Sequence, residues 1–183
     1  MDTFFMSMAE SLQSSKPFTG AVVVMGVASC GKTTLGAALA GQLGARFVEG
    51  DHLHSAESVE KMSKGIALTD EDRWPWLGRI GVALRGTAGV VISCSALKKS
   101  YRRVIAENAE RRVLLVHLHG NRAVLAQRIA SRKGHFMPAS LLESQLATLE
   151  PPDATEYHVT IDVAAPLAEQ IETALAFVLE RSS

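Results

Sequence analysis

Lys32 and Thr33 close the stretch Gly26-Val27-Ala28-Ser29-Cys30-Gly31-Lys32-Thr33, whose residue types and spacing suit a polyphosphate cradle. Two glycines let the backbone curl so that successive N–H groups point at one anion. A helix beginning at the end of the loop adds the positive end of its dipole. In such a loop the lysine reaches the outer phosphates and the hydroxyl after it ligates magnesium. Gly26, Val27, Ala28, Ser29, Cys30, Gly31, Lys32, Thr33 and Thr34 are therefore the expected contacts to a nucleoside triphosphate, and Thr33 is the expected Mg2+ ligand. The flanks fit: apolar Ala21–Met25 reads as a strand, and the residues from Thr34 to Ala40 as a helix.

A second reactive cluster is Glu49-Gly50-Asp51-His52-Leu53-His54, which follows the short strand Ala45–Val48. Acidic and imidazole groups at a strand's carboxyl end belong to the crevice where open α/β sheets bind ligands. Motors and ATPases usually place a carboxylate at the end of a neighbouring apolar strand. Here Val90-Val91-Ile92 runs into Ser93-Cys94, which leaves Asp51 as the acid near the right place. A guanine reader of the form Asn-Lys-x-Asp is absent, which argues against a switch GTPase. Arg128 and Arg132 stand one helical turn apart and share a face. Such arginines can stack on the adenine or neutralise the transferring phosphoryl group, an effect worth ~10³–10⁵ in rate. The glycine-hinged segment after them, about 132–138, reads as a mobile lid.

Positioning these groups takes an α/β frame. Leu35, Leu39 and Leu43 recur at helical spacing. Ser55 can cap a helix to about Ser63, and Thr69-x-x-Asp72 is a capping box for the helix carrying Trp74, Trp76, Leu77, Ile80 and Leu84. Asn121 can cap a helix to Arg132, and Ser140-x-x-Glu143 has the form of a second box. Further strands are expected at Val113–Leu118 and Tyr157–Ile161. The expected fold is a five-stranded parallel sheet flanked by helices on both faces, of the P-loop NTP hydrolase/kinase type, with lid and substrate-binding insertions. Residues 20–183 form one domain, in which about 51–85 are substrate-binding helices. His117 and His119 read as strand-end histidines, and Trp74 and Trp76 as core.

The 183 residues suit a single domain. Formal net charge is +0, so no global field favours nucleic acid or an anionic membrane. Cys30 and Cys94 are too few for a disulfide framework, lack metal spacing, and fit reduced thiols of a cytoplasmic protein. No apolar run approaches the ~18 residues of a membrane span. Residues 1–19 carry Asp2 and Glu10, lack a basic region, and read as a flexible leader in place of a signal peptide.

The longer motifs are Glu49-Gly50-Asp51-x-Leu53-His54, Lys61-Met62-x-x-Gly65, Leu68-x-Asp70-x-Asp72-Arg73-x-Pro75-Trp76-Leu77, Cys94-Ser95-Ala96-Leu97-Lys98-Lys99-x-Tyr101-Arg102, Arg132-Lys133-Gly134-His135-Phe136 and Gln145-x-x-Thr148-Leu149-Glu150. With Met25-Gly26-Val27 they make the chain resemble the gluconokinase family from about Val22 to the final helix. These are small P-loop kinases that move the γ-phosphate of ATP onto the 6-hydroxyl of D-gluconate. Two departures are visible: the loop usually reads Ser-Gly-Ser-Gly-Lys-Ser, and Ser55 stands where a proline usually follows His54. Both keep the functional groups. The resemblance implies ATP and Mg2+ as cofactors, D-gluconate as the small-molecule partner, a fold like the nucleoside-monophosphate kinases, a homodimer, and a place in sugar-acid catabolism. A kinase for shikimate or a nucleoside monophosphate would reuse the loop and lid without the middle motifs. A nucleotide-dependent regulator would share the loop alone.

Gluconate is a flexible polyol with one carboxylate, so its site needs a cation and polar groups. Arg73 or Arg102 is expected to hold the carboxylate with help from Lys98; the competing reading for each is an ion pair with Asp70 or Asp72. Asp51 is assigned to the reacting hydroxyl, with reach to magnesium through water. His54 is a hydroxyl partner, and His135 meets substrate from the lid. Lys32, Asp51 and Arg132 are the expected catalytic residues, and Arg128 the nucleotide's arginine.

Overall fold

The computed structural model of the chain describes residues 17–131 and 139–182. Expectations for residues 1–16 of the leader and for the lid with Arg132 and His135 lie outside the described residues. In chain order the elements are β1 (Ala21–Met25), α1 (Lys32–Leu43), β2 (Arg46–Glu49), a 3-10 turn (Gly50–Leu53), α2 (Ala56–Ser63), α3 (Asp70–Ala83), β3 (Val90–Ser93), α4 (Lys99–Ala109), β4 (Val113–His119), α5 (Arg122–Ser131), α6 (Ala139–Thr148), β5 (His158–Asp162) and α7 (Leu167–Ser182).

The five strands form one sheet in the order β2-β3-β1-β4-β5, and every pairing is parallel. The central strand β1 shows why its sequence is continuously apolar: both faces are covered. Side chains alternate across a strand, so β1 feeds two cores. Val22 and Val24 pack with Leu35 and Leu39 of α1 and Val178 of α7. Val23 and Met25 pack with Leu77 and Ile80 of α3 and Ile105 of α4. Because β3 lies between β1 and β2, the ends of β1, β2 and β3 open onto one edge.

Local signals act where expected. Thr69 and Asp72 form the reciprocal capping box of α3, Ser55 accepts from the Ser58 N–H to cap α2, and Asn121 accepts from the Val124 N–H at 2.9 Å. Ser140 behaves differently: α6 already includes Ala139, so Ser140 lies within the helix and does not precede it. The fifth strand starts one residue later than the apolar run suggests, at His158.

Candidate active site

The phosphate loop leaves β1 at Gly26, whose φ is 143° and where a Cβ would stand 2.6 Å from the Leu118 carbonyl oxygen. Only glycine fits there. Gly31, at φ 103°, is the N-cap of α1 and provides no side-chain cap, so the amides of the first turn stay available to an anion. Lys32 Nζ donates to the Val27 carbonyl at 2.8 Å. Arg128 reaches the rim of the loop, donating from Nη1 to the Cys30 carbonyl at 3.4 Å and from Nη2 to the Val163 carbonyl at 2.6 Å. Cys30 is wholly buried, and burial, only partly countered by Lys32, pushes its thiol pKa up. It fills space and is not a reactive thiolate.

Thr33 Oγ1 donates to Glu49 Oε2 at 2.7 Å, and the Ser93 hydroxyl donates to Glu49 Oε1. Glu49 is thus the carboxylate beside the expected magnesium ligand, where the sequence points to Asp51. The acid comes from the neighbouring strand, in register with Ser93. What could have found it is the pairing of β2 with β3, which the linear sequence does not display. Hydroxyl and carboxylate oxygens beside a phosphate loop are the hard donors Mg2+ takes, and it usually needs only one or two carboxylates besides phosphates and water. The donor set fits the ion.

Asp51 stands exposed in the 3-10 turn that continues β2. The turn is pressed against β3, because a Cβ on Gly50 would lie 2.2 Å from the Ser93 carbonyl oxygen. From the other side α3 pins it: Trp76 Nε1 donates to the Gly50 carbonyl at 2.8 Å and Arg79 Nε to the Leu53 carbonyl at 2.7 Å. Trp76 is buried, as expected of core, and its indole stacks on His54 at 4.2 Å and 12°. Burial pushes the His54 pKa down against the pull of Asp51, and among the described residues its buried Nδ1 has no hydrogen-bond partner. A neutral imidazole with one unused nitrogen can exchange a hydrogen bond with a hydroxyl. Cys94, buried just after β3, has its thiol pushed up to about 12 by burial, and the charges of Asp51, Lys32 and Glu49 all reach it. The Ser93–Glu49 hydrogen bond and the close approach of Gly50 to the Ser93 carbonyl set the turn carrying Asp51 against the end of β3.

Asp70, first residue of α3, organises the expected cations. Lys98 Nζ donates to its Oδ2 at 2.6 Å, the Tyr101 hydroxyl donates to Oδ1, and Arg73 Nη1 lies 3.7 Å from Oδ1. The hydrogen bonds from Lys98 and Tyr101 hold the Asp70 carboxyl below its ordinary range. Arg73 and Lys98 both lie over the Tyr101 ring, at 5.9 and 5.2 Å from its centroid. The competing reading, an ion pair with Asp70, thus holds for both Lys98 and Arg73, which stay partly exposed beside it, and Tyr101 is a member of the cluster that the sequence shows only as part of a motif.

Arg102 corrects an expectation. Its side chain is 2% exposed and pairs with Glu156 at 2.7 Å from Nε and 2.9 Å from Nη2. Nη1 donates to the carbonyls of Ala96, Leu97 and Glu150. Every nitrogen is occupied by the protein itself, so Arg102 braces the Ala96–Leu97 turn and is not presented to a carboxylate in the cleft. The competing reading, a structural ion pair, holds for it with Glu156 in place of Asp70 or Asp72. Asp72 for its part pairs with Lys61 at 2.6 Å.

A family model described as "AAA domain" matches residues 22–152. A "Probable gluconokinase" of Xenopus tropicalis is 44% identical over 160 residues, covering 78% of this chain and 84% of that protein. A "Gluconokinase" of Gluconobacter oxydans is 50% identical over 139 residues, 74% of this chain and 78% of that one. The crystal structure of a gluconokinase from Sinorhizobium meliloti superposes with a TM-score of 0.84 at 50% identity, covering 91% of this chain and 95% of the other. Shikimate kinase from Aquifex aeolicus, at 13% identity and a TM-score of 0.57, shares the fold.

Proposed function

The chain belongs to the gluconokinase family of P-loop kinases, and we propose that it transfers the γ-phosphate of ATP to the 6-hydroxyl of D-gluconate, giving 6-phospho-D-gluconate and ADP. The observation that supports this reading is that a phosphate loop, the turn carrying Asp51 and His54, and the partly exposed cations Arg73 and Lys98 gathered on Asp70 follow the carboxyl ends of neighbouring strands or the start of the helix packed on them. The first handles a triphosphate; the others suit a polyol bearing one carboxylate.

In this mechanism Lys32 and the loop amides other than that of Ala28 hold the β- and γ-phosphates. Thr33 and Glu49 would hold Mg2+, which when bound neutralises phosphate charge. Asp51 accepts the proton of the 6-hydroxyl as that oxygen bonds to the γ-phosphorus and the bond to the β-phosphate oxygen breaks. His54 orients a hydroxyl, and Arg73 with Lys98 binds the carboxylate, Arg being the better bidentate partner. Arg128 and Arg132 are assigned to balance the charge of the transferring group, and His135 to meet the substrate. The same reading makes the enzyme a cytoplasmic homodimer that feeds sugar-acid catabolism, on the support of family membership. Among the described residues no helix is long and apolar enough to cross a membrane.

The test is ATP consumption with Mg2+ against D-gluconate, L-idonate, shikimate, AMP and no acceptor, with the product identified. Turnover with D-gluconate to the 6-phosphate is expected. Turnover with only another acceptor overturns the roles given to Asp51, His54, Arg73 and Lys98 and leaves the phosphate machinery intact.

A further inference from the structure

One peptide unit of the phosphate loop is gripped at both ends. The Val27 carbonyl accepts from Lys32 Nζ at 2.8 Å, and the N–H of the same unit, on Ala28, donates to Gln145 Oε1 at 2.6 Å. A trans peptide points its C=O and N–H in opposite directions, and the chain has no cis bond among the described residues. Lys32 is the group that reaches the outer phosphates. The carbonyl therefore faces the nucleotide side, and the Ala28 N–H, expected from the loop's spacing to contact the triphosphate, faces away from it and is taken by Gln145. Ala28 is 8% exposed, so without a partner this N–H would be an orphan in the protein interior.

Gln145 comes from α6, 117 positions further along the chain. The residues just beyond α6 are tied down. The Glu150 N–H donates to the Leu97 carbonyl at 2.9 Å, Glu150 Oε2 accepts from the Lys99 N–H at 2.6 Å, and the Glu150 carbonyl accepts from Arg102 at 2.9 Å. Gln145 thus reaches the loop from a fixed base.

We propose that Gln145 is a positioning residue of phosphoryl transfer. Its amide oxygen sets the plane of the Val27–Ala28 peptide and, through the Val27 carbonyl, the place of Lys32 Nζ. It touches neither nucleotide nor acceptor. Nothing in this requires gluconate to be the acceptor.

The test compares Gln145→Leu, which removes the acceptor oxygen and keeps the bulk, with Gln145→Glu, which keeps an oxygen at the same reach. Affinity for a non-hydrolysable ATP analogue is measured by calorimetry, and exchange of the Ala28 amide by NMR. In the wild type the Ala28 amide is protected with and without the analogue. Gln145→Leu loses that protection and about ten- to a hundredfold in affinity, because the freed peptide turns its N–H to water in the empty loop and nucleotide binding must bury it unpaired; Gln145→Glu keeps the protection. Because the effect runs through Lys32, adding Gln145→Leu to Lys32→Met costs less than adding it to the wild type, which a merely structural role would not produce. A freely exchanging Ala28 amide in the wild type overturns the proposal, even if Gln145→Leu fails to fold. So does wild-type affinity in Gln145→Leu, lost protection in Gln145→Glu, or an undiminished loss in the Lys32→Met background. All these readouts are independent of the acceptor, so their failure is distinct from failure of the gluconate reading.

Discussion

The Thr33 hydroxyl donates to the Glu49 carboxylate at 2.7 Å, joining the first turn of α1 to the last residue of β2. Residues that lie well apart in the sequence thereby form one pair of oxygen donors at the mouth of the phosphate loop. Glu49→Gln should raise the Mg2+ concentration for half-maximal activity about 10- to 100-fold, as loss of a metal's supporting partner usually does. A magnesium titration at saturating ATP checks it. An unchanged requirement would reduce Glu49 to a link between Thr33 and Ser93.

Asp51 is exposed, and α3 holds its turn through the Gly50 and Leu53 carbonyls. Asp51→Asn should lower kcat by ~10²–10⁴, the range for a lost general base, with nucleotide affinity within about twofold of wild type on the same argument. Steady-state kinetics beside an ATP-analogue titration separate the two. Loss of nucleotide binding would move Asp51 to the metal.

Arg102 and Arg73 should fail in opposite ways. Arg102→Met leaves the partly buried Glu156 without its partner; breaking a fully buried pair costs ~3–5 kcal/mol, an upper bound here, so Tm should fall by up to roughly 10 °C for a chain of this size. Arg73 is partly exposed, so Arg73→Met should leave Tm within about 2 °C. It should raise the KM for the acceptor about tenfold through a lost charge-assisted hydrogen bond. Thermal melts and acceptor kinetics on both variants decide. A KM effect from Arg102→Met in protein that melts normally would return Arg102 to the binding site.

His117 gives stability a pH dependence. Its side chain is buried in β4, with Nδ1 3.4 Å from the Thr160 hydroxyl and no partner on Nε2 among the described residues. Burial, with smaller pushes from His119, Arg102 and His158, lowers its pKa from 6.5 to about 4. The unfolded chain therefore binds this proton first as pH falls. Stability is fully present above pH 6.5 and declines between 6.5 and about 4, by up to ~1.4 kcal/mol per pH unit. In His117→Gln that part of the slope should vanish. Denaturant titrations of both proteins at several pH values in this window read the difference, and parallel curves would contradict it.

Much of the fold was legible because its signals are local. The continuously apolar run of β1 announces a strand covered on both faces, and Thr69 with Asp72 announces the start of α3, since capping needs only residues within one turn. The lid residues Arg132 and His135 are outside the described residues. Ser140 misled as a cap because its pattern says what a terminus can look like, not where neighbouring turns let one form.

The sequence by itself determined the phosphate loop, since Gly26, Gly31, Lys32 and Thr33 act within one turn of backbone. It also determined the five strands and the helix-start signals between them. Only the tertiary structure decided which distant groups meet. Strand order put β3 beside β2, so Glu49 reaches the Ser93 hydroxyl across 44 positions. The packing of α3 on α4 set Lys98 on Asp70 and left Arg102 beneath, neutralised by Glu156. The docking of α6 brought Gln145 to Ala28. Periodicity and spacing carry local geometry, whereas contacts between elements follow from how the apolar faces of the sheet and helices find one another, and no short stretch of residues encodes that.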